Sequence, residues 1–156
     1  MVGSGGVDVC AGVFDVCCLN RPFDDQGQPR VRLEAEAVLL IMGRCQAGQW
    51  EWIGSEAVTA ETLRNPDPVR RERVLELAEH AEEVIRCDGA VLVRAHEIMR
   101  LGFSPHDALH IACAEAGNAD VFLSTDDSVT ASARRTGNLL TVRVRNPLAW
   151  IEEVER

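Results

Sequence analysis

Apolar residues along this chain alternate between short solid runs and helical spacing. Residues 11–16, 50–53, 84–87, Val121–Leu123 and 140–144 are runs too short for helices and read as strands. Across Pro29–Gln46, two sets of positions recur at helical spacing: Leu33, Ala37, Leu40 and Ile41, and Val31, Ala35, Val38 and Met42. They predict a helix with a broad apolar arc, packed on the sheet and ended by Gly48. Ser55 is placed to cap a second helix, Glu56–Leu63, which must stop before Asn65-Pro66-Asp67-Pro68. Further helices are predicted over 69–81, with Val74, Leu77, Ala78 and Ala81 inward, and over 88–101, closed by Gly102. Ser104 and Pro105 suit the start of the next helix, Gly117-Asn118 its end. Helices over 128–136 and Pro147–Val154 complete the chain, and residues 17–29 read as a loop. Strands alternating with helices predict a mainly parallel sheet covered on both faces, a three-layer α/β/α sandwich. All 156 residues are expected to form one domain, with glycine-rich 1–6 loose at its start.

Composition removes several chemistries. The formal charge is −9, and all 16 basic residues are arginine. Without lysine there is no P-loop and no Schiff-base enzyme. A receiver-type phosphoryl-transfer domain also lacks the lysine such sites generally use. An acidic chain is a poor non-specific binder of polyanions, so action on nucleic acid would need a cation between the acids and the phosphates. The six cysteines contain no CxxC pair, which argues against a zinc ribbon. No run approaches membrane-spanning length and no signal peptide is apparent, so a cytoplasmic protein away from the membrane is expected.

Acids at four places in the chain remain interesting. Asp15 falls near the end of the first strand, Asp126 and Asp127 just past the end of Val121–Leu123, and Asp107 in the first turn of the helix leading to it. Glu61 lies on the short helix after the second strand. In open α/β sheets ligands bind outside the carboxyl ends of the strands. Clustered carboxylates repel unless a cation sits among them, and hard oxygen donors suit Mg²⁺ or Mn²⁺. Each acid also has a bland explanation. Ser104-x-x-Asp107 matches a capping box, and acids after a strand often begin the next helix. His106 and His110 have zinc-compatible spacing, but no third ligand is evident.

Four segments resemble the PIN-domain family, the metal-dependent nucleases that include VapC-type toxins. Phe14-Asp15 resembles its opening strand and acid. Ser55-Glu56-Ala57-Val58-Thr59-Ala60-Glu61 resembles the segment of its second acid. Asp107-Ala108-Leu109-His110-Ile111-Ala112 resembles its third-acid helix, the most specific match. Phe122-Leu123-Ser124-Thr125-Asp126-Asp127 resembles its last acid-bearing strand. The resemblance runs roughly from 13 to 150 and includes the ending Asn146-Pro147-Leu148-Ala149-Trp150. Aligning Ser124 with the family's Thr puts the fourth acid on Asp126, the preferred reading; aligning Thr125 puts it on Asp127. Val16 and Cys17 stand where the family often has Thr and then Asn or Ser, removing a hydroxyl.

The resemblance implies a Mg²⁺- or Mn²⁺-dependent endoribonuclease, a toxin with an antitoxin partner. Asp15, Glu61, Asp107 and Asp126 would be catalytic, with metal on Asp15, Asp107 and Asp126 or Asp127. Ser124, Thr125 and His110 would support the site, and Arg21 would contact RNA. A homodimer is left open. The rival reading is a PIN-like interaction module that has lost catalysis.

Overall fold

The computed structural model describes residues 10–155; the expected loose start at 1–6 lies outside them. Five parallel strands form one sheet in the order β3-β2-β1-β4-β5. The strands are β1 Cys10–Phe14, β2 Trp50–Ser55, β3 Glu83–Ile85, β4 Val121–Leu123 and β5 Arg143–Arg145. The helices are α1 Val16–Asn20, α2 Pro29–Gln46, α3 Glu56–Leu63, α4 Pro68–Ala78, α5 Gly89–Met99, α6 Pro105–Ala116, α7 Asp127–Thr136 and α8 Pro147–Val154.

Alternation along β1 sends its side chains to two cores. Ala11 and Val13 join Ile53, Phe122 and Val144 with the apolar faces of α5 and α6. Phe14 joins Trp52, Val121 and Leu123 with α1, α2 and Trp150 of α8. The sheet is thus the middle of three layers. Among the described residues no helix is long and apolar enough to cross a membrane.

Local chemistry moved several expected boundaries. The first strand stops at Phe14 because the Asp15 side chain takes the amide of Val16 and starts α1. The expected loop after it therefore holds a five-residue helix and a 3₁₀ turn at Arg21–Phe23. The third strand stops at Ile85, short of 87, because the Cys87 amide donates to Glu56 Oε1 at 2.7 Å. The last strand begins at Arg143, since the Thr141 amide turns to Glu115 Oε2 instead of the sheet. α4 ends at Ala78 and buries Val74 alone, leaving Leu77 and Ala78 half-buried.

On α2 only part of the predicted arc is covered. Leu33 and Leu40 are exposed, as is Leu39, while Val31, Ala35, Val38, Ile41 and Met42 are buried. Gly48, at φ +79°, supplies the left-handed residue after this helix.

Chain order places α2 on one face and the α5–α6 pair on the other. The crossovers diverge between β1 and β4, the two neighbours at the centre of the sheet. The crevice outside the carboxyl ends of these two strands is the topological switch point, where such sheets bind ligands.

Candidate active site

Asp15 sits at that switch point and is 6% exposed. Its amide donates to the Leu123 carbonyl at 2.8 Å, tying the end of β1 to the end of β4. Its Oδ1 accepts the Val16 amide at 2.8 Å. Its Oδ2 accepts the Ser124 hydroxyl at 2.9 Å, with the Cys17 thiol at 3.4 Å. Burial pushes the Asp15 carboxyl above its ordinary range. The His110 charge and the Ser124 hydrogen bond oppose the shift, and Glu61 and Asp107 add to it. Three carboxylates on three separate elements therefore share one field.

Glu61 arrives on the last turn of α3, whose first turn is held by Ser55 Oγ accepting the Val58 amide. Its Oε1 lies 2.8 Å from His110 Nε2 on α6. This hydrogen bond holds the Glu61 carboxyl low, against the opposing effect of its own burial. Burial alone would depress His110, but the Glu61 hydrogen bond and the charges of Asp15, Glu61 and Asp107 outweigh it and raise its pKa. Both directions favour the charged form of the pair. The other ring nitrogen, His110 Nδ1, is buried and has no hydrogen-bond partner among the described residues.

Asp107 precedes His110 by three residues on α6, which puts the two on one helix face. Ser104 Oγ accepts the Asp107 amide at 3.2 Å, which is half of a capping box. Among the described residues no return bond joins the Asp107 carboxylate to the Ser104 amide. Its charge reaches both Asp15 and His110.

The remaining expected site residues divide. Ser124 is fully buried and joins two acids: besides bonding Asp15, its Oγ accepts the Asp126 amide at 3.1 Å. Asp126 is exposed and caps α7, taking the Ser128 amide at 2.9 Å and hydroxyl at 2.7 Å. Thr125 is buried, with its amide 3.3 Å from Cys17 Sγ. Asp127 and Arg21 belong to a second network. Arg30 binds Asp127 through both terminal nitrogens, at 2.9 and 2.7 Å, and this holds the Asp127 carboxyl low. Arg21 spans Glu34 at 2.9 Å and Asp24 at 3.0 Å.

The family model for the PIN domain matches residues 28–134, more than half of the chain. This chain belongs to the PIN domain family. PIN domains are nucleases and generally use divalent metal ions, so the coarse activity to read from the site is that of a nuclease. No curated protein gives a significant match. Among solved structures the fold is similar to VapBC2 from Rickettsia felis, solved bound to a DNA fragment from its promoter. That comparison has TM-score 0.57 and 12% identity, covering 87% of this chain and 98% of that one. It is also similar to DNA-bound VapBC from Salmonella typhimurium, with TM-score 0.53 and 14% identity over 89% and 99%. At these identities the likeness is one of fold.

The matched span begins at residue 28, beyond β1. It is sheet pairing that brings Asp15 to the acids of this PIN domain. The donor set is of the kind a hard divalent cation takes: the charges of Glu61 and Asp107 add to the raising of the buried Asp15 carboxyl, and His110 is the main positive influence on it. Among the described residues, no three His, Cys, Asp or Glu side chains are grouped so that together they could hold a metal ion. Mg²⁺ does not require such a group, since it keeps several waters and is held through one or two carboxylates.

Two residues of the region escaped the sequence reading. Glu34 is 1% exposed on α2 and accepts hydrogen bonds from Arg21, Arg30 and Asn146. Its signal was available: Val31, Glu34, Val38, Ile41 and Cys45 follow a regular three-four spacing, with one acid inside an apolar stripe. Cys17, noted only as a missing hydroxyl, puts its sulfur between Asp15 and Ser124, at 3.4 and 3.5 Å.

Proposed function

We propose that this PIN domain is a Mg²⁺- or Mn²⁺-dependent endoribonuclease and the toxin of a toxin–antitoxin pair. The observation that carries the reading is Asp15, buried at the switch point, with its carboxyl raised first by that burial and further by the charges of Glu61 and Asp107. Asp15, Asp107 and Asp126 would hold the ion, with Glu61 completing the acidic wall. A bound ion would supply Lewis acidity and a more acidic water for phosphodiester hydrolysis.

The protein's own side chains do the rest. Ser124 orients Asp15 and links it to the Asp126 backbone. His110 orients Glu61. Thr125, buried beside them, stiffens the end of β4. Arg21 reaches substrate in this reading only by leaving Glu34 or Asp24. The antitoxin role rests on the fold likeness to VapBC structures and on the exposed Leu33, Leu39 and Leu40 of α2, an apolar face suited to a protein partner.

The test is cleavage of single-stranded RNA with Mn²⁺ or Mg²⁺ and its loss in chelator. Asp107→Asn should abolish cutting while keeping the native circular dichroism spectrum. An unchanged rate in that variant at limiting metal would overturn the assignment.

A second reading draws on the His110–Glu61 pair and on Cys17 standing where the family often has a hydroxyl. In it the PIN domain is a binding module without catalysis. It predicts partner capture but neither cutting nor a metal-dependent shift in melting.

A further inference from the structure

Two thiols outside the acid crevice lie in contact. Cys87 Sγ and Cys113 Sγ are 3.7 Å apart, and both cysteines are free. Cys87 follows β3. Its amide is held by Glu56 Oε1 at 2.7 Å, and the next residue, Asp88, caps α5 by accepting the Val91 amide at 3.0 Å. The main chain on both sides of this thiol is therefore anchored. Cys113 lies on α6 and is 1% exposed. A disulfide needs its sulfurs at about 2.05 Å, a closure that side-chain rotation between adjacent thiols can supply.

The two thiols differ in access. A surface depression of about 340 Å³, lined by Glu56, Arg86, Cys87 and Asp88, opens at the half-buried Cys87. Burial, with Cys87 beside it, pushes the Cys113 thiol up to about 12. An incoming oxidant therefore meets Cys87 first, with Cys113 behind it as a resolving thiol.

We propose that Cys87 and Cys113 are a peroxide-sensitive dithiol that closes into an intramolecular disulfide between the β3–α5 junction and α6. The Cys87 sulfur attacks one oxygen of a hydroperoxide. The O–O bond breaks, the other oxygen leaves with a proton as water or alcohol, and Cys87 becomes a sulfenic acid. The Cys113 sulfur then attacks the Cys87 sulfur, the S–O bond breaks, and hydroxide leaves with the Cys113 proton as water. Two thiols lose two electrons and two protons, and the peroxide takes up both. The disulfide would close a loop of 26 residues containing all of α5 and most of α6.

The experiment treats the full chain with hydrogen peroxide, alkylates the remaining thiols and maps the digest by mass spectrometry. The expected result is one linked pair of peptides containing Cys87 and Cys113, the other four cysteines alkylated, and complete reversal by dithiothreitol. The oxidised form should melt higher by on the order of 10 °C, the value that loop closure of this length implies before strain. Cys87→Ser, on the accessible side, should keep the native spectrum and lose both the linked peptides and the shift. Cys113→Ala should lose the linked peptides and leave Cys87 as a sulfenic acid trappable by dimedone. Six alkylatable thiols after peroxide, a link between other cysteines, or over-oxidation of Cys87 without a link would each overturn the proposal.

Discussion

Two buried acids stand a few residues from the same crevice and live under opposite conditions. Glu34 is 1% exposed and accepts from two arginines and an asparagine. Asp15 is 6% exposed, is held by one amide, one hydroxyl and a thiol, and has His110 set against two further acids in its field. A buried charge costs several kcal/mol unless partners compensate it. Around Glu34 the protein supplies those partners itself, by bringing the 3₁₀ turn at Arg21–Phe23, α2 and the start of α8 together. Around Asp15 compensation is left incomplete, which is the arrangement expected where a ligand is to provide the rest. Burial of an acid is thus uninformative by itself; the balance of its partners separates a structural acid from a functional one.

The largest effect that would sharpen this contrast is on activity. If the incompletely compensated acid is the working one, Asp15→Asn should lower RNA cleavage by roughly 10²–10³-fold, the usual loss when one electrostatic group of a site is removed. Its melting temperature should hardly change. Single-turnover cleavage beside a thermal melt measures both, and an active Asp15→Asn protein would break the comparison.

Glu34→Ala should do the reverse. It leaves Arg21, Arg30 and Asn146 without their shared acceptor, and because the arginines are partly exposed we expect a loss of roughly 2–4 kcal/mol in denaturant unfolding. Activity per folded molecule should persist.

Metal provides the next test. Binding to the folded protein alone at ~100 times the dissociation constant should stabilise it by roughly 2.7 kcal/mol. Asp107→Asn should melt at or above the native protein in chelator, since it removes one of the charges that raise Asp15, yet gain little from Mn²⁺. A variant that melts lower in chelator, together with no Mn²⁺ shift in either protein, would return Asp107 to the role of a helix cap.

The pH profile carries a smaller effect. His110 holds its proton more tightly folded than unfolded, so its contribution is full below its ordinary 6.5 and is lost as pH rises through the folded value. Asp15 is also raised, so its ionisation weakens the fold as pH climbs from the ordinary 3.8 through its folded value. Glu61 is lowered, and its contribution is present above the ordinary 4.5 and lost as pH falls through its folded value. In chelator, melting temperature should therefore decline above pH 6.5, and His110→Gln should flatten that decline.

The smallest expected effect is at Asp127. It is exposed and bound to Arg30, so Asp127→Asn should leave both cleavage and melting near native. Asp126→Asn should impair cleavage. The reverse order would move the fourth acid to Asp127.

Much of this was legible in the chain itself. Helical spacing and end signals placed α2, α3, α6 and α8 at their observed bounds, because Pro29, Ser55, Ser104-Pro105 and Asn146-Pro147 act on their own neighbours. The alternation of elements required a parallel sheet, and parallel pairing sends every strand's carboxyl end to one edge. That is why acids far apart in sequence could be assigned to one crevice. What the chain order did not contain was partnership. The Glu56 and Glu115 side chains shortened two strands by capturing backbone amides from other elements. Leu33 and Leu40 shared the helical period of buried neighbours and are still exposed, because no element among the described residues covers that side of α2. His110 was bound to Glu61, Asp127 to Arg30 and Arg21 to Glu34. Such contacts join residues 13 to 97 positions apart. Local pattern fixes which face of an element a side chain shares; only the packed sheet and its helices decide which charge it meets there.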